Sequence, residues 1–237
     1  MNMNNIAAIF KKQWKDTLKN KTIFIQFVMF PILTLVMSRT IVIAGMPENF
    51  FVNLFATMYM GMAPLTSMAA VLAEEKEKNT LRVLLMSNVK PYEYLLGTGS
   101  HIWSACMAGA AVICAAGTFR LPERFFFLAV LAVGILASLL VGAAVGVRSK
   151  NQMMAASLSV PVMMIFSFLP MLSMFNPDIE KIAKFAYSEQ ISRMLNHAGS
   201  LQPGMEGVCI IGANLMLFAG MFVLAYRGCG LESKTPQ

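Results

Sequence analysis

The stretch FFFLAVLAVGILASLLVGAAVGV, residues 125–147, is apolar from end to end and carries no charged side chain. About 20 such residues in a helix span the hydrocarbon core of a bilayer. Five other stretches have a similar character, so we predict an all-α integral membrane protein with six transmembrane helices. The predicted spans are Thr22–Gly45, Phe50–Ala73, Gly97–Thr118, Phe125–Val147, Gln152–Phe175 and Gly207–Tyr226.

The composition of the whole chain favours a membrane protein as well. Of the 237 residues, 57% are hydrophobic and 13% are charged, whereas soluble domains carry about 25% charged residues. The net charge is +7, and the basic residues that produce it lie between the apolar stretches. This distribution favours contact with anionic lipid headgroups over contact with nucleic acid. Four cysteines without CxxC spacing are expected to be small buried hydrophobes rather than disulfide or metal ligands; they are Cys106, Cys114, Cys209 and Cys229.

The first 21 residues have the pattern of an amphipathic helix lying in the membrane interface. Its apolar residues follow the helical period and share one face: Ile6, Ile9, Phe10, Trp14 and Leu18. Lys11, Lys12, Lys15 and Lys19 lie on the other side, where they would face anionic headgroups. We therefore divide the chain into this helix (1–21), a six-helix membrane domain (22–230) and a polar tail (231–237).

The distribution of lysine and arginine predicts the orientation of the spans. With the N-terminus inside, five basic residues fall on the outer side: Arg120, Arg124, Lys181, Lys184 and Arg193. The inner side then holds thirteen: Lys11, Lys12, Lys15, Lys19, Lys21, Lys76, Lys78, Arg82, Lys90, Arg148, Lys150, Arg227 and Lys234. We therefore expect both termini and the charged segment at 74–96 to be cytoplasmic.

That charged segment separates the second and third spans. The second span is expected to continue as a helix through Glu74–Lys78, with Glu74 and Lys78 paired four residues apart. Asn79 can adopt the left-handed conformation that ends a helix, and Thr80 can cap a short helix at 81–86. Pro91, followed by Glu93, then begins the helix that re-enters the membrane. The pattern predicts a short helix lying crosswise at the membrane surface.

This segment resembles the first cytoplasmic loop of ABC-2 type transporter permeases. The resemblance rests on the acidic-basic run 75–78, Asn79-Thr80-Leu81, the pair Leu84-Leu85, and the ending Leu95-Leu96-Gly97. Asn79 stands where the family usually has glycine, and Lys90 stands where a capping serine is common. The basic amphipathic N-terminus, the six spans, and a long segment that starts with Asn176-Pro177 before the last span fit the same family.

The resemblance implies one half of an ABC exporter. Two permease chains, identical or different, would form the pore, and two separate ATPase subunits would bind ATP and Mg²⁺, since this chain has no GxxxxGK[ST] motif and no cofactor of its own. The crosswise helix would be the coupling helix that sits in a cleft of the ATPase. The residues assigned to coupling are Glu75, Glu77, Lys78, Asn79, Thr80, Leu81, Arg82, Leu84 and Leu85. The expected cargo is amphipathic, such as a peptide antibiotic, a drug or a lipid-like molecule, and the expected location is a bacterial plasma membrane.

Two other functions compete with transport. A membrane enzyme acting on lipid would need acids at headgroup level, for which Glu74, Glu75 and Glu77 are the candidates. A membrane partner without transport activity could share the same fold.

Several other residues carry expectations about packing. We expect two short helices in 176–206, one capped by Asn176 and one restarting at Ser188; they would either lie on the outer surface or gate the pore. Gly134, Gly142 and Gly146 are expected to allow close packing within the bundle rather than between chains. His101 is expected at the membrane interface, His197 on the surface, and Asn214 in a hydrogen bond between helices.

Overall fold

The computed structural model describes residues 3–41, 45, 47–80, 89–197 and 204–228. Within these residues the chain forms nine helices. They are α1 (Met3–Lys19), α2 (Lys21–Thr40), α3 (Phe50–Glu77), α4 (Pro91–Ala116), α5 (Leu121–Arg148), α6 (Gln152–Ser173), α7 (Pro177–Ala183), α8 (Tyr187–Asn196) and α9 (Met205–Gly228). Six of these, α2 to α6 and α9, are long and apolar enough to cross a membrane. The prediction of an all-α protein with six spans is confirmed.

The helix ends follow local capping rules. α3 continues to Glu77, and Asn79 has a left-handed backbone with φ of 57°. α4 begins at Pro91, as predicted. α5 begins at Leu121, earlier than the predicted Phe125, because Pro122 suits the first turn and Glu123 Oε2 accepts a hydrogen bond from the Arg120 N–H at 2.9 Å. α2 ends at Thr40, short of the predicted Gly45.

α3 is the central helix of the bundle. It packs against α2, α4, α5, α6 and α8, while α9 packs against α5 and α8. α3 and α5 approach each other closely: a Cβ atom built on Gly142 would lie 2.3 Å from the Leu65 carbonyl oxygen, and one on Gly146 would lie 2.8 Å from Leu72 Cβ. The glycines of α5 thus serve packing inside the chain, as predicted.

Proline residues interrupt three of the spanning helices, and in α3 a neighbouring helix supplies a hydrogen-bond donor for the carbonyl that is left without a helical partner. Pro64 removes the N–H that would bond the Met60 carbonyl, and Ser138 Oγ of α5 donates to that oxygen at 2.7 Å. Such compensation is needed because no water can satisfy a backbone group in hydrocarbon.

The two short helices between α6 and α9 close one end of the bundle. Asn176 caps α7, with its Oδ1 accepting from the Asp178 N–H at 2.9 Å, as predicted. α8 begins at Tyr187 rather than at Ser188, which lies inside the helix and caps nothing. Tyr187, Ile191 and Leu195 of α8 are buried against the bundle, so α8 packs into the protein rather than lying free on its surface.

Candidate functional site

The last turn of α3 lies at the opposite end of the bundle from α8. Its side chains bond to α1, to Asn20 between α1 and α2, and to the ends of α5 and α6. We call the residues Glu74–Lys78 with their bonding partners the α3 hub. Successive residues of an α-helix point about 100° apart, so a run of charged side chains reaches neighbours on several sides. In this protein each charged side chain of the run has a specific bond.

Glu75 joins α3 to α1. Its side chain is buried, and its Oε1 accepts hydrogen bonds from Lys12 Nζ at 2.6 Å and from Gln13 Nε2 at 2.7 Å. The first of these is also an ion pair. Charge-assisted bonds of this kind are shorter and stronger than bonds between neutral groups, so Glu75 is a firm attachment point for α1.

Glu74 reaches the junction of α1 and α2. Its carboxylate accepts from Lys78 Nζ at 2.5 Å, the predicted pair four residues apart, and from Asn20 Nδ2 at 3.3 Å. Asn20 is the one residue between α1 and α2. The hydrogen bond to Glu74 raises the pKa of Lys78.

Lys76 and Glu77 attach α3 to the turn between α5 and α6. Lys76 Nζ donates to the Val147 carbonyl at 2.5 Å, near the end of α5. Glu77 Oε2 accepts from the backbone N–H of Gln152, the first residue of α6, at 2.9 Å. A carboxylate is a favourable partner at this position because the N-terminus of a helix carries unpaired N–H groups and a partial positive charge.

Glu93 makes a second attachment to α1 on the far side of the charged segment. It is buried, and its Oε2 accepts from Asn5 Nδ2 at 2.9 Å and from the Lys90 N–H at 3.4 Å. Ile9 of α1 packs directly on Gly97 of α4. Residues 81–88 are therefore flanked by two buried glutamates, Glu75 and Glu93, that both bond to α1.

The predicted coupling residues fall into two groups in the structure. Glu75 is buried, whereas Glu77, Lys78 and Asn79 are exposed, and Thr80 Oγ1 donates back to the Glu75 carbonyl at 3.1 Å. The remaining predicted residues, Leu81, Arg82, Leu84 and Leu85, lie outside the described residues. Their assignment to a coupling helix stays a prediction.

Two side chains at this end of the protein make contacts that the sequence did not predict. Lys12 is paired with Glu75, and 39% of its side chain stays exposed. His101 is buried rather than interfacial: α1 covers it, Thr17 Oγ1 lies 2.9 Å from its Nε2, and the rings of Phe10 and Trp14 pack edge-on against it. His101 is buried because α1 packs on α4, whereas Lys12 of α1 reaches Glu75 of α3.

The sequence did contain a signal for the attachment of α1. Asn5, Ile9, Gln13 and Thr17 recur at intervals of four and form a stripe of uncharged residues between the lysines and the exposed Trp14 and Leu18. This stripe faces the bundle: Ile9, Gln13 and Thr17 are the buried residues of α1. Polar residues that repeat at helical spacing beside an apolar face can therefore indicate a protein contact.

A second polar cluster lies at the α8 end. Buried Glu189 accepts from Ser173 Oγ of α6 at 2.6 Å and from Arg193 Nε at 2.9 Å, and Arg193 also bonds Glu180 of α7 at 2.9 Å. An open cavity of about 340 Å³ adjoins these residues. His197 is exposed, as predicted.

Further bonds seat α8 on the bundle. Tyr187 OH lies 2.7 Å from Ser138 Oγ. Asn53 Nδ2 of α3 donates to Asn196 Oδ1 at 2.9 Å. Asn214 Nδ2 of α9 donates to the Phe185 carbonyl at 2.9 Å, so its bond runs to the turn between α7 and α8 and not to another helix.

The chemistry of neither cluster resembles that of an enzyme site. Glu74, Glu75 and Glu77, the acids on which a lipid-modifying enzyme would depend, each accept a hydrogen bond from a different partner, namely Asn20, Gln13 and the backbone N–H of Gln152. Among the residues that the structure describes, no three His, Cys, Asp or Glu side chains are placed to hold a metal ion. The arrangement at the α3 hub is suited to holding helices together.

Comparisons with known proteins agree with this architecture. The family model for ABC-2 type transporters matches residues 4–187, which run from α1 to the first residue of α8 and include the α3 hub. A comparison with curated proteins found no match. A match over this much of a six-span chain establishes the family: the protein belongs to the ABC-2 type transporter family and is a multi-pass membrane permease component of an ABC transporter.

Proposed function

We propose that the chain is the permease subunit of an ATP-driven exporter that moves an amphipathic molecule out of a bacterial cell. The cargo class is a peptide antibiotic, a drug or a lipid-like compound. Two copies of a separate ATPase subunit, which bind ATP and Mg²⁺, supply the energy. A second permease chain, identical or paralogous, completes the pore, and both termini lie in the cytoplasm.

The observation that carries this proposal is that residues 81–88 lie in the sequence between two buried glutamates that are hydrogen-bonded to α1. Glu75 precedes this segment and Glu93 follows it, and each is buried and bonded to α1. Displacement of the segment by a docked ATPase would therefore act on α1, α3 and α4 together. Lys76 and Glu77 extend the same connection to the ends of α5 and α6.

Rigid connection matters because a partner can drive a transporter only by favouring one arrangement of its helices over another. A flexible loop would absorb the displacement. Charge-assisted bonds on buried groups, such as those of Glu75 and Glu93, resist it. The hub thus supports movement of the spans as a body, as expected for rigid-body switching.

The cargo class rests on the connections of the described chain, which hold no large soluble receptor domain. The longest connection at the α8 end, between α6 and α9, is occupied by the two short helices α7 and α8. Cargo that enters from the membrane or its surface needs no such receptor domain.

The test is transport in reconstituted vesicles. The chain would be purified with its ATPase in mild detergent and reconstituted, and uptake of a cationic amphipathic peptide, a lipophilic dye and a labelled phospholipid would be measured. The proposal predicts ATP-dependent uptake of at least one probe that stops when the ATPase is left out or a non-hydrolysable nucleotide is used. Uptake by the permease alone would contradict it.

A further inference from the structure

An open cleft of about 540 Å³ lies between α1, the start of α2 and the end of α3. Four lysines and three carboxylates line it: Lys12, Lys19, Lys21, Lys78, Asp16, Glu74 and Glu75. The lining therefore has an excess of positive charge.

The lysines of the cleft differ in whether they form ion pairs. Lys12 is paired with Glu75 and, at 3.8 Å, with Asp16, and Lys78 is paired with Glu74. Among the described residues, Lys19 and Lys21 have no ion-pair partner within 4.0 Å. These two lysines lie on either side of Asn20. Their positive charges are not neutralised by an ion pair and are available to bind an anion.

The cleft also lies at the boundary of an apolar surface. Its lining includes Ile23, where the apolar span of α2 begins. Phe24 and Ile25, the next residues of α2, are exposed, and so is Leu18 at the end of α1. A molecule with a charged head in the cleft could therefore lay a hydrocarbon chain along α2 without leaving apolar surroundings.

We propose that this cleft binds the headgroup of an anionic phospholipid. The ammonium groups of Lys19 and Lys21 hold the phosphate, and the acyl chains lie on the exposed apolar side of α2. Glu74 and Glu75 already accept hydrogen bonds from Lys12, Gln13, Asn20 and Lys78, and Asp16 is ion-paired with Lys12 at 3.8 Å. These carboxylates therefore do not pair with Lys19 and Lys21. The headgroup would join α1 to α2 at the side of the α3 hub.

The alternative is a general attraction between the basic face of α1 and an anionic membrane, which needs no cleft. The chain offers a matched control. Lys11 and Lys15 are exposed lysines of α1 that do not line the cleft. General attraction predicts that any two lysines contribute equally, whereas a cleft site predicts that Lys19 and Lys21 contribute most.

The experiment is native mass spectrometry of the full chain released from nanodiscs that contain equal amounts of phosphatidylglycerol and phosphatidylcholine. The proposal predicts that wild type and the K11A/K15A variant retain phosphatidylglycerol selectively. K19A/K21A should retain about 30-fold less, since each of the two lysines contributes about 1 kcal/mol to binding of anionic lipid near a membrane surface and about 1.4 kcal/mol corresponds to a tenfold change. K19R/K21R should restore retention.

Two results would overturn the proposal: an equal loss of phosphatidylglycerol in K11A/K15A and K19A/K21A, or retention of phosphatidylcholine at the level of phosphatidylglycerol in the wild type. The thermal midpoint of each variant in detergent serves as a folding control. Lys19 and Lys21 make no ion pair among the described residues, so their removal is expected to leave that midpoint unchanged.

Discussion

Lys12 Nζ lies 2.6 Å from Glu75 Oε1 and thereby joins the first helix of the chain to the end of its central span. The carboxylate is buried, whereas the lysine side chain is 39% exposed. The pair thus connects the surface helix α1 to the core of the bundle at the position where the charged segment leaves α3.

Replacing Lys12 by alanine is expected to destabilise the protein by about 1–2 kcal/mol, because Glu75 loses its charged partner and keeps only Gln13. The thermal midpoint in mild detergent would fall. Lys15→Ala removes an exposed lysine from the same helix and should leave the midpoint unchanged. In a double-mutant cycle, K12A/E75Q should lose less than the sum of the single variants; additive effects would mean that the two residues do not interact.

The contact between α3 and α5 gives a second prediction. Gly142→Ala would place a Cβ 2.3 Å from the Leu65 carbonyl oxygen, and overpacking against backbone costs about 1–3 kcal/mol. Gly220→Ala in α9 is the control, because nothing lies within 4 Å of the added Cβ. We expect a lower thermal midpoint for G142A and an equal or higher one for G220A. Equal midpoints would show that α3 and α5 are less closely packed than described.

A third prediction concerns the hydrogen bond from Ser138 to the Met60 carbonyl, which Pro64 leaves without a helical partner. The Ser138 hydroxyl donates to this carbonyl, so Tyr187 OH must be the donor in the bond between Tyr187 and Ser138. Burial raises the pKa of Tyr187, which keeps this donor protonated. Ser138→Ala should cost about 1–3 kcal/mol because two buried groups lose their partner.

A double variant separates this explanation from a simple loss of packing at Ser138. Pro64→Ala restores the N–H that can bond the Met60 carbonyl, so S138A/P64A should recover part of the stability that S138A loses. Ser157→Ala removes a hydroxyl that bonds within its own exposed turn of α6 and should have no effect. Failure of P64A to recover any stability would contradict the proposed role of Ser138.

The predicted orientation can be tested by labelling. In a variant without Cys209 and Cys229, Asn79→Cys should react with a membrane-impermeant maleimide only from the cytoplasmic side. Arg120→Cys should react only from outside. Both positions are exposed, so access to reagent depends on the side of the membrane. Labelling of Asn79→Cys in intact cells would show that residue 79 lies outside the cell. The orientation would then be the reverse of the predicted one, and residues 81–88 could not contact a cytoplasmic ATPase.

Local signals in the sequence were enough to predict the spans and several helix ends. Asn79, Pro91 and Asn176 act on their immediate neighbours, and each has the predicted conformation or position. The glycines of α5 were also assigned correctly to packing within the chain. These residues share one property: their effect depends on the backbone or on helical spacing alone.

The bonds of the α3 hub could not be predicted in the same way. Helical periodicity shows that Glu74, Glu75 and Glu77 point in different directions, but the neighbour in each direction depends on how distant helices pack. Lys12 and Glu75 are separated by 63 positions in the chain. For the same reason the burial of His101 beneath α1 was missed, since nothing near His101 in the sequence indicates which helix covers it.

Association with the ATPase is the most direct test of the central claim that a partner drives this permease through residues 81–88. The measurement is the amount of ATPase that co-purifies with Leu84→Asp in mild detergent, compared with wild type and with Leu121→Asp. Leu121 is an exposed leucine at the opposite end of the bundle. The account predicts normal insertion of both variants, wild-type association for L121D and loss of most of the ATPase and of transport for L84D. Wild-type association and transport by L84D would contradict it.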